Sequence, residues 1–279
     1  MKQAISDFPA ILDEVIRDLH GEPVDLLCIG DGPGESFYLE HARRSYLRTL
    51  ADILALAEAT GRNRQAIRVL EIGAFLGVVS CTLARLGFTV TALDLPEFMH
   101  NERLQARYRR YGVATTAANL RDYALPADSA SCSIVIMCET LEHLNFNPLP
   151  VVAEVNRVLE PGGYFYLALP NQASLVNRIK LLSGRSIHNP ISDFMAQLSQ
   201  ESNMIVGIHW REYTAAELRE LVLSWGFSVL RQVFFTTHEP SLPARLLYLL
   251  CPSLRGNLTL TARKEAEVTP DFHLNDATR

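Results

Sequence analysis

The stretch Val69-Leu70-Glu71-Ile72-Gly73-Ala74-Phe75-Leu76-Gly77 decides the fold. Apolar residues around one acid make a short buried strand, and a glycine-bearing turn leads it into an apolar helix over residues 76–86. Gly73 can take a positive φ and lets a ligand approach the backbone, while Gly77 lets the helix pack close to the strand. The turn lacks the third glycine of a dinucleotide fingerprint, and its strand carries the carboxylate of Glu71. A carboxylate there repels a pyrophosphate and attracts a sulfonium or an ammonium group.

A second acid lies where a ribose needs one. The strand over 89–93 ends at Asp94-Leu95, roughly 20 residues past the glycine turn, the spacing expected for an acid on the next strand's tip. A carboxylate there can accept both ribose hydroxyls. Read alone, Asp94 serves equally well as a helix cap; paired with Glu71-x-Gly73 it reads as a ligand for S-adenosylmethionine rather than for NAD. Asn119-Leu120 ends the third strand, offering an amide to the adenine edge and a leucine to its face, or simply a turn.

Outward from this core, apolar runs at 69–72, 89–93, 114–118, 133–138 and 164–169 alternate with helical patterns at 76–86, 97–111 and 148–159. That rhythm means parallel βαβ units. Residues 120–130 show no helix. A helix over 215–225 follows the cap Thr214 and stops at Gly226, with strands at 227–236 and 257–262 after it. Residues 1–62 read as a helical cap, with helices over 8–19 and 40–59 flanking a loop at Gly30–Gly34. Residues 63–262 form the cofactor domain, 171–208 an insertion over its crevice, and 263–279 a polar, flexible tail. Asn171 is expected to point into the crevice. Arg178, Lys180, Arg185, His188 and Arg211 give the insertion a basic tone that would suit an anionic acceptor.

The fourth strand runs into Cys138-Glu139-Thr140-Leu141-Glu142-His143, an E-x-x-E-H cluster at a carboxyl end. Two carboxylates and an imidazole this close can hold a divalent cation with open positions. His209 precedes Trp210-Arg211-Glu212 where the insertion rejoins the sheet.

Residues 65–236 resemble the class I S-adenosylmethionine-dependent methyltransferases, in particular the small-molecule enzymes. The matching stretches are Glu71-Ile72-Gly73 with Gly77, Asp94, Leu125-Pro126-Ala127-Asp128, Leu141-Glu142-His143-Leu144, Leu159-Glu160-Pro161-Gly162-Gly163 and Trp225-Gly226-Phe227. Ala74 replaces the usual glycine, which is tolerable if its φ stays negative, and Cys132-Ser133 stands where Phe-Asp is common. The resemblance implies a Rossmann-like, mostly parallel seven-stranded α/β sheet with helices on both faces. It implies cofactor contacts from Glu71, Gly73, Ala74, Gly77, Asp94, Leu95, Asn119, Leu120, Cys138 and Glu139. The E-x-x-E-H element is similar to that of the ubiquinone-pathway and small-RNA O-methyltransferases, which implies Mg²⁺ or another divalent cation on Glu139, Glu142, His143 and His209. A metal-free site with His143 or His209 as general base is the alternative. The expected reaction is methyl transfer to a small or medium-sized acceptor, at a hydroxyl oxygen of glycan, lipid or secondary-metabolite type. A catalytically inactive binding subunit and a metal-dependent RNA 2′-O-methyltransferase are the other readings.

Composition narrows the class. At 48% apolar and 20% charged residues the chain has the balance of a soluble globular protein. Its net charge of −5 and lack of a long Lys/Arg run argue against nucleic acid as a partner. Five cysteines (Cys28, Cys81, Cys132, Cys138, Cys251), odd in number and without C-x-x-C spacing, offer no disulfide framework, so a reducing cytoplasm is expected. Met1–Ile16 contains Asp7, Pro9, Asp13 and Glu14 and is no signal peptide. Leu246–Cys251 is apolar but far too short to span a bilayer.

Overall fold

Ile134, Val135, Ile136 and Met137 are each at most 1% exposed, the mark of a strand covered on both faces. They belong to β4 (Cys132–Cys138), which pairs in parallel with β1 (Arg68–Ile72) on one side and β5 (Leu159–Pro170) on the other. Beyond β1 lie β2 (Thr89–Asp94) and β3 (Ala114–Ala117), also parallel. At the far edge β7 (Asn257–Lys264) runs antiparallel between β5 and β6 (Phe227–Phe235). The seven-stranded order is therefore β3-β2-β1-β4-β5-β7-β6. This computed structural model describes residues 7–24, 32–198 and 208–268. Cys28 and residues 199–207 and 269–279, parts of the expected cap, insertion and tail, lie outside the described residues.

Helices cover both faces, as expected of the Rossmann-like class. One face packs α1 (Phe8–Gly21), α3 (Arg43–Thr60), α4 (Val78–Arg85) and α6 (Glu102–Tyr111); the other packs α7 (Leu149–Val158) and α10 (Ala215–Leu223). Because side chains alternate along a strand, Leu70 and Ile72 face the second layer while Val69 faces the first. Glu71 thus turns toward α4, where Ser80 meets it. The chain leaves β1 and β4 in opposite lateral directions, and that switch opens a crevice at their carboxyl ends.

Several boundaries differ from the sequence reading. The expected helix over 97–111 breaks into α5 (Pro96–Met99) and α6, because Asn101 caps the second piece, its Oδ1 accepting from Leu104 N at 3.1 Å. The strand β5 begins at Leu159 and runs through Pro161-Gly162-Gly163 rather than starting at Tyr164. Helix α2 (Gly32–His41) starts inside the expected Gly30–Gly34 loop. Arg263 and Lys264, read as tail, belong to β7; Lys264 is buried, donating to the carbonyls of Asn156 and Leu159 at 2.6 and 2.9 Å. The cap is fastened from inside: Glu35 of α2 accepts from Val24 N at 2.7 Å and pairs with Arg107 of α6, both side chains 2% exposed. Among the described residues no helix is long and apolar enough to cross a membrane.

Candidate active site

A cavity of about 820 Å³ sits at the carboxyl ends of β1, β2 and β4. That is near the upper end for small-ligand sites, so a nucleoside-sized ligand leaves room for a second molecule.

The glycine turn forms its floor. Gly73 has φ 75°, and a Cβ on it would lie 2.1 Å from Thr140 Oγ1. Only glycine fits there. Ala74 lines the cavity and is not among the residues with positive φ, so alanine fits the turn, whereas Phe75 carries the strained φ of 46°. Gly77 lies outside the lining; its φ is 79° and a Cβ would meet the Tyr108 ring at 2.6 Å, so it serves packing against α6.

The two strand-tip acids reach the same cavity. Glu71 is buried and accepts from Ser80 Oγ; burial pushes its carboxyl up to about 8. Asp94 accepts from Phe75 N and Leu95 N, both at 2.7 Å, and burial raises it to about 6 against the pull of those bonds. Each carboxylate oxygen has two lone pairs, so Asp94 keeps acceptor capacity for ligand hydroxyls. Leu95, Asn119, Leu120 and Cys138 also line the cavity; Asn119 Oδ1 is engaged as a cap, accepting from Arg121 N at 3.0 Å.

The E-x-x-E-H element, with a 3-10 turn over Leu141–His143, brings Glu139 and His143 to the same cavity, whereas Glu142 and His209 are not among its lining residues. Glu139 lines the cavity with a left-handed φ of 47°, and its Oε1 is buried without a partner. Glu142 is fully buried behind it, and neither carboxylate oxygen has a partner. Burial raises both carboxyls, and for Glu142 the neighbouring Glu139 adds to it.

A second segment locks onto this turn. Trp210 N and Arg211 N donate to Glu142 O at 2.8 and 3.3 Å, which brings His209 beside His143 with ring centroids 5.0 Å apart. Each imidazole is oriented through Nδ1: His143 toward Ile208 O at 2.7 Å, His209 toward Glu212 Oε1 at 3.3 Å. Glu212 is held in turn by Asn177 Nδ2 at 2.7 Å. Both histidines thus keep Nε2 free, the tautomer that ligating histidines show when a carbonyl or carboxylate holds the other nitrogen. Burial and the neighbouring His209 depress His143 to about 4, so its ring is neutral near pH 7. Ligand atoms of Glu142, His143 and His209 lie within 4.8 Å of one another. A cluster with an orphaned buried carboxylate fits a divalent cation.

Other expected residues lie elsewhere. Asn171 does not point into the crevice: it is 1% exposed, and its Nδ2 donates to Ser253 O and Arg255 O, both at 2.8 Å. Arg178, Lys180, Arg185, His188 and Arg211 do not line the cavity. The sequence reading passed over Tyr38, Tyr46 and Thr49 of the cap helices and Phe98, Phe146 and Trp210, all of which line it. The eight-residue spacing of Tyr38 and Tyr46 was the one available signal.

A family model described as a methyltransferase domain matches residues 70–167. The sheet order, the two acid-tipped strands and this match agree. Residues 70–167 carry the signature of a methyltransferase domain. Relatives of the methyltransferase domain include a Mycolicibacterium smegmatis protein named as a probable S-adenosylmethionine-dependent methyltransferase, 33% identical over 161 residues covering 58% of this chain and 52% of that one. A ubiquinone biosynthesis O-methyltransferase of Xanthomonas oryzae is 34% identical over 106 residues, 38% of this chain and 44% of that one. The chain spans about half the length of these curated relatives. A solved S-adenosylmethionine-dependent methyltransferase of Mesorhizobium loti matches the fold with TM-score 0.51 at 16% identity, covering 75% of this chain and 96% of that one.

Proposed function

We propose that this methyltransferase domain transfers a methyl group from S-adenosylmethionine to a hydroxyl oxygen of a small or medium-sized acceptor. The observation that carries the reading is one cavity lined by two buried acids, Glu71 and Asp94, and by Glu139 and His143 of the E-x-x-E-H element. Asp94 accepts the ribose hydroxyls and Glu71 faces the ligand's positive charge. Asn119 and Leu120 serve the adenine. The Xanthomonas relative is by name an O-methyltransferase, which supports oxygen as the acceptor atom.

S-adenosylmethionine supplies a methyl group on a good leaving group, so the chain's main task is alignment, worth on the order of 7–11 kcal/mol. The cluster of Glu142, His143 and His209 would hold a divalent cation, and Glu139, also expected as a ligand, is not one of its members. Such a cation supplies a Lewis acid that lowers the pKa of the acceptor hydroxyl. The orphaned Glu142 carboxylate favours that role for the cluster over a metal-free one. In the metal-free reading His143 Nε2 takes the hydroxyl proton, and its depressed pKa makes it a weak base for that work.

The test is methyl transfer to a panel of phenols and catechols, with and without chelator, beside calorimetry with S-adenosylhomocysteine. Cofactor binding and chelator-sensitive transfer are expected. Failure to bind S-adenosylhomocysteine overturns the whole reading; transfer that survives full chelation overturns the cation alone.

A further inference from the structure

Two helices at the cavity end of the sheet wear their apolar stripes on the outside. Helix α8 (Leu175–Leu182) follows β5, and α11 (Leu242–Leu250) follows β6, which runs parallel to β5. Both therefore leave the sheet at the end that holds the cavity. In α8, Val176, Ile179 and Leu182 recur at three-residue spacing and are 57%, 56% and 89% exposed. In α11, Leu242, Leu246, Leu249 and Leu250 share one face and are 61–82% exposed. An amphipathic helix normally turns such a stripe into the core, and soluble monomers rarely leave large ones bare. The segment before α8 is also tied to the turn after α11. Asn171, three residues before the cap of α8, holds the carbonyls of Ser253 and Arg255 just past α11.

Charge selects the occupant. In a chain of net charge −5, residues 174–188 carry Arg178, Lys180 and Arg185 with no acid, and residues 241–255 carry Arg245 and Arg255 with no acid. Leucine stripes beside basic residues suit a surface that is apolar below and anionic above. A second copy of this chain would set basic segment against basic segment.

We propose that α8 and α11 dock the protein on an anionic lipid bilayer, their leucines entering the acyl boundary and their basic residues meeting the headgroups. The cavity then opens beside the membrane, where a lipid-soluble acceptor resides. The docking stands apart from methyl transfer and is read without it.

The experiment is co-sedimentation of the full chain with phosphatidylcholine vesicles, with and without phosphatidylglycerol. Binding is expected to the anionic vesicles, roughly tenfold weaker to neutral ones, and to weaken with salt. Leu249→Glu with Leu250→Glu, and separately Leu182→Glu, should each reduce binding at least roughly tenfold. These side chains touch little, so circular dichroism and melting should stay unchanged, and a variant that fails to fold is replaced by Arg245→Glu with Arg185→Glu. No sedimentation with anionic vesicles, or sedimentation indifferent to the folded variants, overturns the proposal. So does light scattering that finds a dimer which the Leu249→Glu/Leu250→Glu pair converts to monomer, because the stripe then belongs to a second copy.

Discussion

Asp94 reaches across from the tip of β2 to hold the amide of Phe75 in the neighbouring strand's glycine turn, at 2.7 Å. One carboxylate therefore shapes the turn and faces the ligand. Asp94→Asn should lose a charged acceptor worth about 1.5–3 kcal/mol, weakening S-adenosylhomocysteine by roughly ten- to a hundredfold. Melting should fall as well, because Phe75 sits at φ 46° and that bond helps keep it there. Calorimetry and thermal denaturation check both, and an unchanged Kd would remove Asp94 from the ribose.

Glu71 gives the site a pH dependence of known sign. With its carboxyl raised to about 8, the empty site is protonated at pH 7. A cationic ligand favours the ionised form, so binding below pH 8 must release a proton. Affinity should rise with pH by at most about tenfold per unit up to pH 8, then level off. Calorimetry in buffers of different ionisation heat counts that proton; Glu71→Gln should flatten the profile between pH 6 and 8 and leave the rise below pH 6 that Asp94 contributes. The same shift makes the unliganded fold lose stability as pH rises from the ordinary carboxylate range toward 8, since the folded state holds the proton longer.

The cation cluster is open to a stability assay that needs no acceptor. Mn²⁺ or Mg²⁺ binding only the folded chain should raise its melting temperature in a concentration-dependent way. Glu142→Gln should abolish that rise while the fold survives. A rise of equal size in the variant would locate the metal elsewhere.

Gly77→Ala tests the packing reading of the second turn glycine. Its Cβ would press on the Tyr108 ring, whose hydroxyl donates to Phe75 O at 3.0 Å. A loss of about 1–3 kcal/mol in chemical denaturation is expected.

Trp210 lines the cavity, is 43% exposed and stacks edge-on against Phe194 of the insertion helix α9 (Ile191–Leu198). Trp210→Ala should raise the acceptor's KM several-fold, on the order of 1 kcal/mol, and leave cofactor Kd unchanged. Steady-state kinetics separate the two.

The parallel sheet was legible because buried strands write themselves as unbroken apolar runs, as Ile134–Met137 do. That Glu71, Asp94, Glu139 and His143 meet at one cavity was legible because acids at strand ends are rare in such runs. Tyr38 and Tyr46 were not, because whether a helix's aromatic faces core or cavity depends on how the helix docks. Asn171 misled for a related reason: a polar residue after a strand satisfies backbone carbonyls as readily as it meets a ligand. The early start of β5 hid behind Pro161-Gly162-Gly163, which reads as a turn.

The Arg107–Glu35 pair bears on how molecules come and go. Swinging α2 aside would carry Glu35 away and leave the buried Arg107 guanidinium with backbone carbonyls but no counter-charge, at about 3–5 kcal/mol. Fewer than about one molecule in a hundred would stand open that way at any moment. Traffic should pass instead by the half-exposed indole of Trp210, leaving the N-terminal helices as a fixed wall.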